Sequence, residues 1–247
     1  MDEKYGEKNK VATAANSLAV TYPAGSKQPS GSGVTGGTGF YSTPMDLSSA
    51  NVITLEYSVF FGNGFKFVKG GKLPGLYGGR QSCSGGDNAL DCFSTRYMVR
   101  SHPRNLLIAN RQWREKGQGE LYWYVNRALQ TSAFIKTPGL IHDVNADFGW
   151  SIGRGYWTFK TNAWTKLKQV VTLNTFDNNG KPLANGKIVV YVNGEAKLTM
   201  DKIALRKTAS IKAIGIQFDT FFGGNDAIYE TPTTQRVFFK DFTLSAY

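Results

Sequence analysis

Short β-prone segments separated by turn signals fill the chain from Val52 onward, and none of them shows a helical period over three turns. The segments are VITLEYSVFF, GFKFVKGGKLPGL, FSTRYMVR, ELYWYVN, FGWSIGRGYWTF, KLKQVVTLNTF, KIVVYVNGE, IKAIGIQFDTFF and QRVFFKDFTLSA. The turns between them are rich in Gly, Asn and Asp, as in DNNGK and FGGND, and the stretch between Leu140 and Ala146 is predicted to be a loop. Many strands at close spacing without helices predict a sandwich or a barrel. We predict an all-β, jelly-roll β-sandwich with a concave substrate-binding sheet.

The length of 247 residues suits one domain with a substantial core, and we assign residues 1–247 to a single domain. Residues 1–40 are polar and then rich in Gly and Ser, which predicts an extended segment with little regular structure. The start, MDEKYGEKNK, contains no apolar core of a signal peptide, and no apolar run reaches the length of a membrane span. We expect a secreted monomer from which a signal has been removed.

The chain is strongly basic, with a formal net charge of +11 and a pI of about 9.6. A charge of this size predicts a polyanionic partner, which is a nucleic acid, an anionic membrane or an acidic polysaccharide. The sequence has no zinc-finger spacing, no run of Lys and Arg and no basic amphipathic helix. An anionic polysaccharide is therefore the expected partner, rather than nucleic acid or a membrane.

The two cysteines, Cys83 and Cys92, flank a short turn-forming stretch in QSCSGGDNALDCF. A turn between cysteines this close can bring them within the distance that a disulfide requires. We predict a Cys83–Cys92 disulfide, which implies an oxidising compartment. Two free thiols are the alternative.

Two of the predicted strands have one polar and one apolar face. In FSTRYMVR, the alternation of a strand places Phe93, Thr95, Tyr97 and Val99 on a core face and the polar side chains on the other. The polar faces of this strand and of ELYWYVN carry Ser94, Arg96, Arg100, Tyr122, Tyr124 and Asn126. If the strands share a sheet, this surface is a groove for an anionic chain, because Tyr rings stack on sugars and Arg forks bind carboxylates.

These residue types suit β-elimination from a uronic acid better than hydrolysis. Removing the C5 proton requires a cation on the neighbouring carboxylate, a base, and an acid for the leaving O4. Tyrosine can serve as both if a nearby Arg or Lys lowers its pKa from about 10. A hydrolase would need paired carboxylates, and Glu120 is the main acidic residue of these strands. We expect neither a metal nor another cofactor.

Several motifs resemble those of polysaccharide lyase family 14, the alginate lyases, and of related fungal and viral polyuronate and glucuronan lyases. They are FGNGFKFVKGGKLPGLYGG, CSGG, CFSTRYMVR, GELYWYV, FGWSIGRGYW, VTLNT, VYVNGE and DTFFGG, in the family's order from about residue 52. The resemblance implies a jelly roll that cleaves alginate or glucuronan by β-elimination. The connection over residues 101–119 is longer than the family's pattern and very basic, which fits either a binding loop or a solvated insertion.

Carried over residue by residue, the family's motifs fall on Lys72, Ser94, Arg96, Tyr122 and Tyr124. The resemblance implies that Arg96 holds the uronate carboxylate and that Ser94 assists by hydrogen bonding. We hypothesise that either Tyr122 or Tyr124 abstracts the C5 proton and protonates O4, with Lys72 close enough to tune it. Further substrate-binding candidates are Arg100, Asn126, Arg154 and His142. His142 is also a candidate base or a structural histidine, and Arg154 fits packing against Trp157 equally well. A non-catalytic carbohydrate-binding jelly roll is the competing function, and a lectin-like or nucleic-acid-binding sandwich is a third.

Overall fold

The computed structural model of the chain consists of two antiparallel β-sheets that share one apolar core. It describes residues 2–29, 33–100, 117–144 and 149–247, without the side chains of 142–144. The strands are β1 (Asp2–Tyr5), β2 (Lys10–Ala12), β3 (Leu18–Tyr22), β4 (Thr38–Ser42), β5 (Val52–Phe61), β6 (Gly70–Gly78), β7 (Phe93–Arg100), β8 (Gln118–Tyr124), β9 (Ile141–Val144), β10 (Trp150–Thr158), β11 (Ala163–Thr172), β12 (Gly186–Val192), β13 (Glu195–Ile203), β14 (Ala213–Phe222) and β15 (Gln235–Ala246).

Helical structure within the described residues is confined to single turns. The α-helix α1 spans Ser132–Ile135, and short 3-10 helices span Glu7–Asn9, Arg127–Leu129 and Ala227–Tyr229. None of these helices is long and apolar enough to cross a bilayer. The predicted jelly-roll β-sandwich is confirmed.

The eight-stranded sheet has the order β1-β4-β14-β6-β7-β8-β10-β9, and the seven-stranded sheet has the order β13-β12-β11-β5-β15-β3-β2. The strands of the first sheet that carry the motifs, β6, β7 and β8, are direct neighbours. The motif-bearing strands are therefore consecutive in sequence and occupy the middle of the eight-stranded sheet.

Alternation along β7 and β8 sets which face is buried between the sheets. Tyr97, Leu121 and Trp123 point into the core and are fully buried. Thr95 also points inward, where its hydroxyl donates to Oε1 of Gln169 from the opposite sheet at 2.6 Å. The polar side chains of β7 and β8 therefore lie on the face of the eight-stranded sheet that points away from the core.

Two expectations about regular structure are wrong. Residues 1–40 form three short strands and the start of β4 instead of an extended segment, and β1 is an edge strand of the eight-stranded sheet. The stretch after Leu140 reads as a loop in the sequence but forms β9, which pairs with β10. Of these strands, β1, β2 and β9 are short and lie at sheet edges, where backbone pairing stabilises a conformation that composition alone does not indicate.

Candidate active site

A row of residues in register runs across the outward face of the eight-stranded sheet. Arg96 on β7 lies opposite Tyr122 on β8 and opposite Gly75 on β6, and Gly75 in turn lies opposite Gln217 on β14. A Cβ at Gly75 would lie 1.9 Å from the Thr95 carbonyl oxygen. The glycine therefore allows the backbones of β6 and β7 to approach closely here, and the Arg96 side chain reaches across β6 to Asp219 on β14.

The side chain that Arg96 reaches is the buried carboxylate of Asp219. Arg96 Nη1 donates to Asp219 Oδ2 at 2.8 Å, and Gln217 Nε2 donates to the same oxygen at 2.8 Å. The Tyr5 hydroxyl donates to Oδ1 at 3.0 Å, and Lys4 Nζ lies 3.2 Å from Oδ2. Burial alone would raise the pKa of Asp219, but the charges of Arg96 and Lys4 outweigh it and hold the pKa below its ordinary value.

The other edge of the Arg96 guanidinium is unused. The side chain is fully buried, and among the described residues Nε and Nη2 have no hydrogen-bond partner. Buried donors without partners cost free energy, and structures rarely retain them without a reason. Nε and Nη2 together form the edge of the guanidinium that donates two parallel hydrogen bonds to a carboxylate. This edge is therefore suited to receive a uronate carboxylate.

Lys72 on β6 places its ammonium group among aromatic rings. Its Nζ lies 5.4 Å from the ring centroid of Tyr122, 5.7 Å from that of Tyr124 and 5.3 Å from that of Phe221. Burial, and then the positive charge of Arg96, lower the pKa of Lys72 well below its ordinary value. A lowered pKa favours the neutral amine, which is the form of lysine that accepts a proton.

The paired tyrosines of β8 meet edge to face, with ring centroids 5.6 Å apart. Burial, and then the charge of Tyr124, raise the pKa of Tyr122 above its ordinary value, although Arg100 and Arg96 act in the opposite direction. The neighbouring cations therefore do lower the pKa of Tyr122, but burial outweighs them, and the lowered pKa that a tyrosine base requires is not met at Tyr122. Tyr122 stays protonated, which suits a hydrogen-bond donor and not a base.

The predicted disulfide between Cys83 and Cys92 is confirmed, and the loop that it closes lies against the tyrosines. The Gly85 N–H donates to the Tyr124 hydroxyl oxygen at 3.1 Å. Ser94 is fully buried, and its hydroxyl donates to the Cys83 carbonyl oxygen at 2.8 Å. This corrects the role implied for Ser94, because its proton holds the loop and does not face an incoming carboxylate.

Exchanging both cysteines for serine is expected to reduce stability and turnover together. A bridge that closes so short a loop contributes about 2–3 kcal/mol, so urea denaturation should show a loss of that size. Turnover should also fall, because Gly85 would no longer hold the Tyr124 hydroxyl. Wild-type protein that has been reduced and alkylated serves as the control and should behave in the same way. An unchanged kcat in the folded double variant would show that the loop does not position Tyr124.

Two further arginines share one buried carboxylate on the same face. Arg100 Nε donates to Glu120 Oε1 at 2.9 Å, and Arg154 Nε donates to Oε2 at 2.6 Å. Ser151 Oγ donates to Oε2 at 2.5 Å and accepts from Arg154 Nη2 at 2.8 Å. One negative charge does not neutralise two guanidinium groups, and both arginine side chains remain about one-fifth exposed, at 22% and 21%. The cluster can therefore bind a second anion.

The remaining candidates are placed differently. Asn126 does not present its amide oxygen to the groove, because Oδ1 accepts from the Ala128 N–H at 3.1 Å and caps the following 3-10 helix. The backbone of His142 belongs to β9, and its side chain lies outside the described residues. The basic connection over 101–119 also lies outside them up to residue 116.

The residues that hold the catalytic candidates in place were not predicted from the sequence patterns. Asp219 had a usable signal, because alternation in IKAIGIQFDTFF places it with Gln217 and Phe221 on one face of a strand. An acidic residue in the middle of a strand is expected to have a cationic partner, because burying an unpaired charge is costly. Lys4 and Gly85 had no such signal, since one lies in a segment predicted to be irregular and the other contributes only its backbone.

Comparison with known structures identifies close structural relatives. The marine PL-14 alginate lyase of Aplysia kurodai is 32% identical with a TM-score of 0.79, and the match covers 98% of this chain and 89% of that chain. Alginate lyase vAL-1 from Chlorella virus is 26% identical with a TM-score of 0.74, covering 96% and 89%. The endo-beta-1,4-glucuronan lyase of the fungus Trichoderma reesei shares the fold, at 8% identity and a TM-score of 0.56, covering 96% and 86%.

Comparison with known families gives a match that covers nearly the whole sequence. No curated protein sequence matches the chain significantly. The sequence profile of the family Polysaccharide lyase 14 matches residues 10–242, so the likeness extends well before residue 52, where the motifs first indicated it. The match includes the strands that carry Lys72, Arg96 and the paired tyrosines. The chain belongs to polysaccharide lyase family 14.

Proposed function

We propose that this polysaccharide lyase cleaves alginate by β-elimination, with Lys72 as base, Arg96 as carboxylate ligand and Tyr124 as acid. The substrate follows from its relatives from Aplysia kurodai and Chlorella virus, which are alginate lyases. One observation supports the residue roles above all others. The Lys72 amine, whose pKa is lowered by burial and by the charge of Arg96, lies beside both tyrosine rings, and Arg96 keeps an unpartnered edge.

The first chemical step forms an enolate of the uronate. The substrate carboxylate accepts hydrogen bonds from Arg96 Nε and Nη2, and neutral Lys72 takes the C5 proton. The charge that develops on the carboxylate is stabilised by the guanidinium, whose position is already fixed by Asp219. Fixing the cation beforehand lowers the barrier because the site does not reorganise during the step.

The second step breaks the glycosidic bond. The C5 electron pair forms the C4=C5 double bond, the C4–O4 bond breaks, and the Tyr124 hydroxyl protonates O4. The Gly85 N–H, 3.1 Å from the Tyr124 oxygen, remains a donor to that oxygen after its proton has left. The Arg96 guanidinium carbon lies 5.3 Å from the Tyr124 ring centroid and also stabilises the phenolate. The proton on Lys72 then restores Tyr124, and no water is consumed.

The cluster of Arg100, Arg154 and Glu120 extends the site along the sheet. Its net positive charge and its partly exposed guanidinium groups suit the carboxylate of a neighbouring sugar. Arg100 also lies beside Tyr122, with its guanidinium carbon 5.8 Å from the ring centroid. We assign this cluster to binding of the polymer and not to proton transfer.

The proposed function is tested with polymers that differ only in charge or sugar. The wild-type protein is incubated with alginate, with glucuronan and with a neutral polysaccharide, and the ultraviolet absorbance of the conjugated C4=C5 uronate is followed. Alginate should give a steady rise and the neutral polymer none. A rise with glucuronan alone would replace alginate as the substrate. No rise with either polyuronate, while the protein binds both, would show a carbohydrate-binding module and not an enzyme.

Substitution of the two tyrosines is expected to affect different kinetic constants. Tyr124→Phe removes the proposed acid and should lower kcat by about 10²–10⁴-fold. Tyr122→Phe should act mainly on KM, because Tyr122 contacts substrate without transferring a proton. Each substitution keeps the ring and its packing, so melting temperatures should change little. The reverse pattern, with kcat lost only in Tyr122→Phe, would exchange the two roles.

Activity is expected to survive strong chelation. Among the described residues, the one group of His, Cys and acidic side chains close enough to hold a metal is Cys83, Asp87 and Cys92. Both sulfurs of that group are in the disulfide and offer no thiolate. Turnover of alginate in EDTA should therefore equal turnover without it. Loss of turnover that calcium or zinc restores, with an unchanged melting curve, would contradict the metal-free mechanism.

We also propose that the protein is secreted and acts as a monomer. The disulfide supports secretion, because such bonds persist in oxidising compartments. A high positive charge also suits a protein that meets an anionic polymer outside the cell.

A further inference from the structure

A row of apolar side chains in register crosses the outward face of the seven-stranded sheet, the sheet that does not carry the candidate active site. Val11 lies opposite Ala19, Ala19 opposite Phe238, Phe238 opposite Phe60, and Phe60 opposite Trp164. We call Phe238, Phe60 and Trp164 the aromatic row. Neighbouring rings in the row have centroids 6.0 Å and 5.4 Å apart.

The aromatic row points to solvent and is not part of the core. The residues that follow Phe60 and Trp164 along their strands, Phe61 and Thr165, are buried, so the row itself faces outward. Trp164 is 40% exposed, and the other two rings of the row are half-buried. Three adjacent aromatic rings on the solvent-facing side of a sheet do not contribute to the core between the sheets. Exposed apolar patches of this kind commonly mark binding surfaces.

Cations line both sides of the aromatic row. On one side Lys240 and Lys166 both lie opposite Ser58, and Lys240 Nζ is 4.7 Å from the Trp164 ring centroid. On the other side the exposed Arg236 precedes Phe238 by two residues on β15. The row is therefore an apolar strip between positive charges.

Acidic residues do not cancel this charge. Glu56 pairs with Lys166 at 2.8 Å, and Asp241 lies 3.5 Å from Lys240. Lys168, which lies opposite Glu56, adds a further cation next to these pairs. Four cations against two carboxylates leave this part of the sheet positive, in a chain whose net charge is +11.

We propose that the aromatic row and its flanking cations form a second, non-catalytic binding site for an acidic polysaccharide. Rings on three adjacent strands span about 10 Å, which seats roughly two sugars of an extended chain. The apolar faces of the sugars stack on the rings, and the carboxylates lie beside Lys166, Lys240 and Arg236. The identity of the ligand rests on the proposed function, because the same polymer serves both sites.

A second site is expected to increase the binding of a long polysaccharide chain but not the binding of a short oligosaccharide at the groove. A polymer held on the row keeps other segments of the same chain near the groove at a high effective concentration. An alginate trisaccharide cannot span both sheets, so its cleavage does not benefit. The proposal therefore predicts that the second site affects cleavage of the polymer and leaves cleavage of the trisaccharide unchanged.

The test compares Trp164→Ala and Lys240→Gln with matched controls at surface positions outside the row. Tyr247 is 76% exposed at the C-terminal end, and Lys187 is an exposed lysine on β12 of the same sheet. Tyr247→Ala and Lys187→Gln are the controls. Each protein is run in native gels that contain alginate or a neutral polysaccharide, and its activity is measured on alginate and on the trisaccharide.

Trp164→Ala should weaken retardation by alginate about five- to tenfold and lower activity on the polymer at low substrate, with trisaccharide activity unchanged. Lys240→Gln should show a smaller loss of the same kind, and the controls none. Unaltered retardation in both row variants would overturn the proposal, as would an equal loss on trisaccharide and polymer. A wild-type dimer that Trp164→Ala dissociates would overturn it in favour of a contact between copies.

The gel assay also separates this proposal from the proposed function. Retardation does not require turnover, so a protein that binds alginate through the row without cleaving it would refute the lyase assignment alone. A protein that cleaves alginate with no contribution from the row would refute the second site alone.

Discussion

Lys72→Gln is expected to lower kcat by about 10²–10⁴-fold, since it removes the proposed base while keeping a polar side chain of similar length. The pH profile carries the more specific signature. A base must be neutral, so the rate should rise as pH passes upward through the pKa of Lys72. Burial and Arg96 place that pKa well below the ordinary lysine value of about 10.4. The residual activity of Lys72→Gln should lack this rising limb.

The matched control for Lys72→Gln is Lys187→Gln, which makes the same chemical change on the exposed side of the opposite sheet. Its kcat and its pH profile should equal those of the wild type. If Lys72→Gln keeps the rising limb, the titrating base is another group. In that case Tyr124 or His142 becomes the candidate, and their Phe and Ala variants would decide between them.

Arg96→Lys is expected to reduce kcat/KM by about 10²–10³-fold, although it conserves the charge. A lysine can still pair with Asp219, so the buried carboxylate keeps a cation. The Nε–Nη2 edge is lost, however, and an ammonium group does not replace a planar fork. Both kcat and KM should worsen, because the carboxylate is bound in the ground state and more strongly in the transition state.

Arg100→Lys is the comparison for Arg96→Lys. Arg100 pairs with Glu120 and is partly exposed, so its replacement should raise KM with little change in kcat. Melting curves for both variants exclude an effect of unfolding. A folded Arg96→Lys protein with near-normal kcat would show that Arg96 supports the sheet through Asp219 and does not bind the substrate carboxylate.

The fold was predictable from sequence because its signals are local. Alternation in FSTRYMVR and ELYWYVN correctly assigned Tyr97, Leu121 and Trp123 to the core, and the turn residues between segments marked an all-β chain. The edge strands β1 and β9 were missed. The side chains of β1 are exposed or half-buried, and both strands pair through the backbone, β1 with β4 and β9 with β10, which no local pattern records.

The residues of the candidate site were predictable from the sequence, but their protonation states were predictable only in part. Alternation and the family motifs brought Lys72, Arg96, Tyr122 and Tyr124 together, as the structure does. The protonation states depend on burial and on partners distant in sequence, such as Asp219. For this reason the effect of burial on the pKa of Tyr122 was not foreseen from the sequence, and we propose Lys72 as the base in place of a tyrosine.

Ser94 and Asn126 illustrate the same limit. Ser94 lies on β7 as predicted, but its hydroxyl is engaged by the carbonyl of Cys83, while Asn126 follows the end of β8 and its side chain is engaged by the N–H of Ala128. Strand alternation gives the direction of a side chain and not its hydrogen-bond partner.

Cleavage of alginate in water labelled with heavy oxygen tests the central claim most directly. β-Elimination consumes no water, so mass spectrometry should find no label in any product, and the masses of the two fragments should sum to that of the substrate. Wild-type protein should give this result, and Lys72→Gln should give almost no product. Fragments that carry one labelled oxygen, with masses that sum to substrate plus water, would show hydrolysis and contradict the account.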